Sequence, residues 1–231
     1  MKFAFHFFEK LSSTNDKAID AEPWNVVAAE FQTRGRGRFK RPWSSGKGGA
    51  WFSIVLPLPE NPAEMTFLAG LSVYNVLLRY GAHVSIKWPN DIVHGDSKVC
   101  GILTENFYGK RQKSIVGIGL NVNNVLPPSL KNKAISLKSI LKKETPVKKA
   151  ILDIVKEFNR QYTVYRREGF FPILKRWKSG CCTLGRNISI ASLQGRFSGK
   201  AIDVNEHCHL MVKLPSGKVH ELIEGDIYTV S

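Results

Sequence analysis

"QTRGRGRFKRPWSS", residues 32–45, sets five cations (Arg34, Arg36, Arg38, Lys40 and Arg41) within eight positions, with Gly35 and Gly37 between the first three. Like charges at that spacing repel one another, so the segment needs a negative partner before it settles. It lies between two apolar runs of strand character, NVVAAEFQ (25–32) and GAWFSIVLPL (49–58). A basic loop held between two buried strands is positioned by its scaffold, as binding loops are. Two phosphate-loop patterns are excluded. The dinucleotide pattern G-x-G-x-x-G fails at Lys40, and a Walker A loop fails because Arg41 and Gly48 stand where its first glycine and its Ser/Thr belong.

Working outward, KFAFHFFE (2–9) reads as a strand and SSTNDKAIDA (12–21) as a helix opening, with Ser13 and Asp16 spaced as a capping box. Phe67, Leu71, Tyr74 and Leu78 recur at helical spacing within 63–80, a core helix. HVSIKWPND (83–91), a turn at HGDSK (94–98), and two apolar runs, VCGILTENF (99–107) and SIVGIGLNVN (114–123), predict antiparallel strands. Residues 124–145 predict a loop and a short helix. Thr145 then caps a long helix with Pro146 at its first position. Its apolar stripe is Val147, Ile151, Ile154, Phe158, Tyr162 and Tyr165, and a second helix covers FFPILKRWKS (170–179). From Thr183 onward the runs are short and punctuated by Gly195, Gly199 and Gly217, as in a small closed or partly open β-barrel. The expected class is α+β, with residues 1–180 as the larger domain and 183–231 as the barrel.

The formal charge of +15 favours anionic partners: nucleic acid, phosphorylated ligands or an acidic protein. No apolar run reaches the length of a membrane span, and the N-terminus lacks a signal-peptide pattern, so a cytoplasmic location is expected. Cys100, Cys181, Cys182 and Cys208 form no C-x-x-C, which points to reduced thiols. His207 and His209 flank Cys208 and would share a strand face, a weak metal pair.

Four further stretches accompany the loop. Ser13, Thr14 and Asn15 open a helix. KWPND (87–91) turns at Asn90-Asp91 after an extended Trp88. Lys98 opens an apolar strand with Gly101 three residues on. Gly117 and Gly119 share one strand face, a costly choice unless something approaches the backbone closely. Each has a plain structural reading: a helix cap, a turn, an edge lysine.

Together, and in this order, the motifs STN (13–15), Gln32 with GRGR (35–38), KWPND (87–91), K-x-x-GIL (98–103) and GIGLNVN (117–123) resemble those of the biotin protein ligases. The resemblance is close over roughly residues 8–125. It implies a mixed sheet of the class II aminoacyl-tRNA synthetase type followed by an SH3-like barrel. It also implies a two-step reaction: biotin and ATP give biotinyl-5′-AMP, and a lysine of a biotin carboxyl carrier protein then takes the biotinyl group. Because STN begins at residue 13, the enzyme-only form is expected, without an N-terminal DNA-binding domain; a homodimer is left open. In the family the loop reads GRGR-x-GR-x-W, and Lys40 here replaces a glycine, which matters if that position needs positive φ.

The resemblance implies the following roles. Arg36, Arg38 and Lys98 act catalytically, as fixed cations that let a carboxylate approach a polyphosphate. Biotin is held by Ser13, Thr14, Asn15, Gln32, Gly35, Arg36, Gly37, Arg38, Lys98, Gly101 and Gly119, with Trp51 as a candidate wall. ATP or the adenylate meets Arg36, Arg38, Arg41, Trp43, Lys87, Asn90 and Asn121, and Asn90 and Asp91 are candidate magnesium ligands. The loop is expected to be unsettled until the ligand supplies negative charge. Two other readings stay open: a lipoate or octanoate ligase, and a non-catalytic nucleic-acid binder with a basic loop.

Overall fold

The computed structural model of the chain describes residues 1–109, 111–192, 195–223 and 225–229. Seven strands form the larger sheet: β1 (Ala4–Leu11), β2 (Asn25–Gln32), β3 (Ala50–Pro57), β4 (Ser85–Lys87), β5 (Asp91–His94), β6 (Ser97–Phe107) and β7 (Lys113–Leu120). Their order is β1-β2-β3-β7-β6-β5-β4. The β1–β2 pair is parallel and the rest are antiparallel, so the sheet is mixed, as expected.

Period-two alternation gives the sheet two different faces. One face carries Val26, Ala28, Phe52, Ile54, Leu56, Val116 and Ile118 into the main core. Helices α2 (Ala63–Arg79) and α4 (Val147–Glu168) cover it, and α5 (Phe171–Ser179) packs against those two helices. The other face has a smaller apolar patch, Val27, Val55 and Ile115, under α1 (Thr14–Ala18). Beyond that patch the same alternation brings Ser53, Gly117, Gly119, Gly101 and Glu105 to the surface that the basic loop overlies. The short α3 (Leu137–Leu141) lies in the segment expected to be loop plus a helix.

Five strands make the smaller antiparallel sheet: β8 (Asn187–Ser192), β9 (Gly195–Val204), β10 (Leu210–Lys213), β11 (Val219–Leu222) and β12 (Asp226–Thr229), in the order β11-β10-β9-β8-β12. Its inner residues Ile188, Ile190, Val204, Leu210 and Val212 belong to the same apolar cluster as α2 and the larger sheet. Trp88 joins the two: its indole Nε1 donates to the Cys208 carbonyl at 3.0 Å, and its backbone N–H to Thr183 Oγ1 at 3.0 Å. All four cysteines are free, as expected. Among the described residues no helix is long and apolar enough to cross a membrane.

Three local expectations change. Pro146, not Thr145, stands at the N-cap of α4; the Thr145 backbone is instead clasped by the Asn123 amide, which both accepts from its N–H at 3.0 Å and donates to its carbonyl at 2.8 Å. Leu78 is exposed, because in the last turn of α2 the buried positions are Val76 and Leu77, and Leu78 lies off that face. His207 and His209 lie in the turn before β10 rather than on a strand, and His209 Nδ1 is 2.6 Å from Glu221 Oε1.

Candidate functional site

Ser13 starts α1 in extended backbone, its Oγ accepting from the Asp16 N–H at 3.4 Å. This is half of a capping box; the Asp16 carboxylate goes elsewhere. Thr14 and Asn15, both buried, point down onto β3, where Ser53 Oγ lies 2.8 Å from Thr14 Oγ1 and 2.6 Å from Asn15 Oδ1. Gln32, at the end of β2, joins α1 to the far end of the loop. Its Oε1 accepts from the Thr14 N–H at 2.7 Å, and its Nε2 donates to Ser45 Oγ at 2.8 Å. Neutral donors and acceptors thus form one fixed network.

The basic loop closes on carboxylates of the chain itself. Arg36 donates to Glu105 on β6, its Nη2 at 3.0 and 2.8 Å from the two oxygens and its Nε at 3.3 Å from Oε1. Its Nη1 reaches Asp16 at 2.6 Å. Burial lowers the affinity of that guanidinium for its proton, but the hydrogen bonds and charges of Asp16 and Glu105 outweigh it, and the net shift is upward. The expectation that only a ligand settles the loop is therefore revised: two internal acids already hold its first part. Beyond Arg36, Arg38 Nη1 donates to Asn90 Oδ1 at 3.3 Å, and the Arg38 and Arg41 guanidiniums lie 4.9 and 5.3 Å from the Phe39 ring centre. Phe39 and Lys40 both have positive φ, +56° and +55°. Lys40 thus holds a left-handed backbone that glycine adopts at less cost.

Lys98 is not on an edge strand, since β6 is paired with β5 and β7. Its Nζ is 2.5 Å from Asp91 Oδ1 and 5.0 Å from the Trp43 ring centre. The glycines beneath explain how Trp43 fits. A Cβ on Gly119 would stand 2.6 Å from Trp43 Nε1, and one on Gly101 would stand 3.2 Å from its ring and 2.9 Å from Lys98 Cε. A Cβ on Gly117 would stand 2.3 Å from Asn15 Oδ1. Gly117 and Gly119 sit two residues apart on β7, about 6–7 Å. Over that span the groups above the floor change from the Asn15 amide to the Trp43 indole, with the Lys98 ammonium beside it. Both sets line one cleft of about 330 Å³, a size suited to a small molecule.

The sequence model of the Biotin/lipoate A/B protein ligase family matches residues 7–123. The bifunctional ligase/repressor BirA of Bacillus subtilis is 35% identical over 237 residues, spanning 96% of this chain and 72% of that protein. The chain belongs to the biotin/lipoate A/B protein ligase family. A biotin–[acetyl-CoA-carboxylase] ligase of Paracoccus denitrificans is 27% identical across 90% of this chain and 94% of its own length. Among solved structures, the biotin protein ligase of Aquifex aeolicus, in complex with biotin and ATP, superimposes with a TM-score of 0.87 over 98% of each chain at 28% identity.

Of the residues singled out for this family, Ser13, Thr14, Asn15, Gln32, Arg36, Gly37, Arg38, Arg41, Trp43, Asn90, Asp91, Lys98, Gly101, Gly119 and Asn121 line the cleft. Three do not. Gly35 lies at the neck of the loop, where a Cβ would meet Ser45 Oγ at 2.4 Å and the Trp43 carbonyl at 2.7 Å. Lys87 ends β4, outside the residues that line the cleft. Trp51 is fully buried under the loop exit, its Nε1 donating to the Gly46 carbonyl at 2.9 Å. Asn90 Oδ1 faces Arg38 and Asp91 Oδ1 faces Lys98, so two fixed cations already stand where a protein-held magnesium would have to sit, and the pair does not fit such a site. Among the described residues no three His, Cys, Asp or Glu side chains gather as a metal cluster. Sequence reading missed Ser53 and Glu105. Ser53 is a lone polar group in an otherwise apolar strand, the signal that would have found it, whereas Glu105 sits between Thr104 and Asn106 and carries no such local mark.

Proposed function

We propose that the chain activates biotin with ATP, forming biotinyl-5′-AMP and pyrophosphate, and passes the biotinyl group to a lysine of a biotin carboxyl carrier protein. The observation that carries this reading is the change of wall chemistry along one small cleft. Ser13, Thr14, Asn15 and Gln32 supply donors and acceptors to a neutral ureido ring. Arg38, Arg41 and Lys98 supply charge where a carboxylate must meet an α-phosphate.

Lys98 is a point charge on a rigid paired strand. It holds the carboxylate through the first step and the developing charge at the acyl carbon through the second. Asp91 orients that ammonium, and the indole of Trp43 lies against it. The loop with Arg38, Arg41 and Trp43 shields the mixed anhydride from water. Magnesium, brought with the nucleotide, would add charge neutralisation at the phosphates.

The test is incubation with ATP, magnesium and either biotin or lipoate, scoring the acyl-adenylate by mass. Biotinyl-5′-AMP is expected. An adenylate formed only from lipoate would move the chain to the other branch of its family, and none from either acid would overturn the reading. The charge of +15 suits an acidic acceptor. Acceptor labelling is accordingly expected to slow as salt rises, while adenylate formation changes little.

A further inference from the structure

Arg36 was expected to face substrate, yet its fork is engaged on both sides by the chain itself. Nε and Nη2 are on Glu105, and Nη1 is on Asp16 with Ser13 Oγ at 3.4 Å. An anion taking Arg36 would have to displace a carboxylate. Glu105 also does something that a simple ion pair does not. Its Oε2 accepts from Asn15 Nδ2 at 2.6 Å, and Asn15 in turn is bonded to Ser53. One carboxylate thereby links the loop (Arg36), the helix that carries the neutral end of the cleft (Asn15) and the sheet floor (β6). The side chains of Arg36 and Glu105 are only 25% and 29% exposed, so water screens the pair weakly.

We propose that Glu105 is a positioning residue: with Asp16 it clamps Arg36, fixing the root of the loop without ligand, so that Arg38, Arg41 and Trp43 alone swing with the substrate. The same carboxylate sets the Asn15 amide, so the neutral end of the cleft and the loop root are aligned by one group. This rests on the biotin-activating reading for its effect on turnover, but the clamp itself can be tested without any ligand.

The experiment uses the full chain, the single variants Glu105→Gln, Asp16→Asn and Arg36→Met, and each carboxylate change combined with Arg36→Met. In ligand-free protein, trypsin cleavage within 34–41 is expected to be about tenfold faster in Glu105→Gln than in the wild type, in line with loss of a charge-assisted contact. Asp16→Asn, at the more exposed end of the clamp, should show a smaller rise in the same direction. In the Arg36→Met background, Glu105→Gln should add less than twofold, since its partner is gone. With ATP and biotin, Glu105→Gln should release biotinyl-5′-AMP about tenfold faster and raise KM for biotin more than it lowers kcat. The proposal is overturned if both carboxylate variants cleave within twofold of the wild type at unchanged melting temperature, or if Glu105→Gln acts equally with and without Arg36. Should Glu105→Gln fold poorly, Asp16→Asn decides, alone and in the Arg36→Met background, where its effect should fall below twofold. A wild type that makes no adenylate would sink the functional reading and leave the cleavage result standing.

Discussion

Glu105 and Glu157 are two carboxylates that each gather several donors, and they are used in opposite ways. Glu157 sits on α4 with its side chain 5% exposed. It accepts from Asn75 at 2.9 Å and Arg79 at 3.2 Å on α2, and from Arg160 and Gln161 on its own helix at 2.7 and 2.6 Å. Every donor is on a rigid helix. Burial pushes its pKa up, but the donors, Arg160 foremost, outweigh that and hold it at about 2. Glu105 holds one donor on a helix end and another on a loop. The same chemistry therefore welds two helices in one place and tethers a movable segment in the other. Which outcome results depends on whether the donors could have gone anywhere else.

That contrast can be broken, most strongly at Glu157. Glu157→Ala leaves Arg160, Asn75 and Gln161 without their acceptor and should lower unfolding free energy by about 3–5 kcal/mol in denaturant titration. Adenylate formation per folded molecule should be unchanged; a loss of turnover would mean that the helix seam is coupled to the cleft. The converse comes next. Lys98→Ala should lower adenylate formation by about 10²–10³-fold, with a far smaller change in melting temperature than Glu157→Ala. If turnover survives, Lys98 serves packing and the two regions do not differ as described.

Acid sharpens the comparison further. The Glu157 pKa is depressed from 4.5 to about 2, so its contribution is present above about pH 4.5 and is lost as pH falls towards 2. That contribution is about 3–4 kcal/mol, and the wild type should lose it over this window while Glu157→Gln loses less. The smallest effect is expected at the loop. Lys40→Gly removes a side chain from a left-handed position and should slow trypsin cleavage after Arg34, Arg36 and Arg38, sites the substitution leaves intact, by about two- to fivefold, moving the melting temperature hardly at all.

Much of this was legible because it is local. Ser13–Asn15, Gln32, the Gly/Arg loop, KWPND, Lys98 and the β7 glycines are short patterns whose residue types suit strand ends and close approach, and the cleft collects nearly all of them. The positive φ at Lys40 was foreseeable from the glycine it replaces. What escaped depends on pairings distant in sequence. Arg36 and Glu105 are 69 residues apart, and Asn15 and Glu105 are 90 apart. Nothing in either local stretch says that they meet. Trp51 shares the parity of the site face, but the chain at 46–49 folds over it, which period-two reasoning does not register. Gly117 and Gly119 were read correctly as positions needing close approach. The groups that approach in this structure are Asn15 and Trp43.

The indole of Trp88 is hydrogen-bonded to a carbonyl of the smaller sheet, and Ile86 of β4 exchanges backbone bonds with Gly180 and Cys182, each at 2.9 Å. A cut near residue 180 would strip Trp88 and Ile86 of these acceptors and donors and wet an apolar surface now shared by both sheets. The C-terminal strands are thus less a passenger than a cork, and calorimetry on the whole chain should record one melting event, not two.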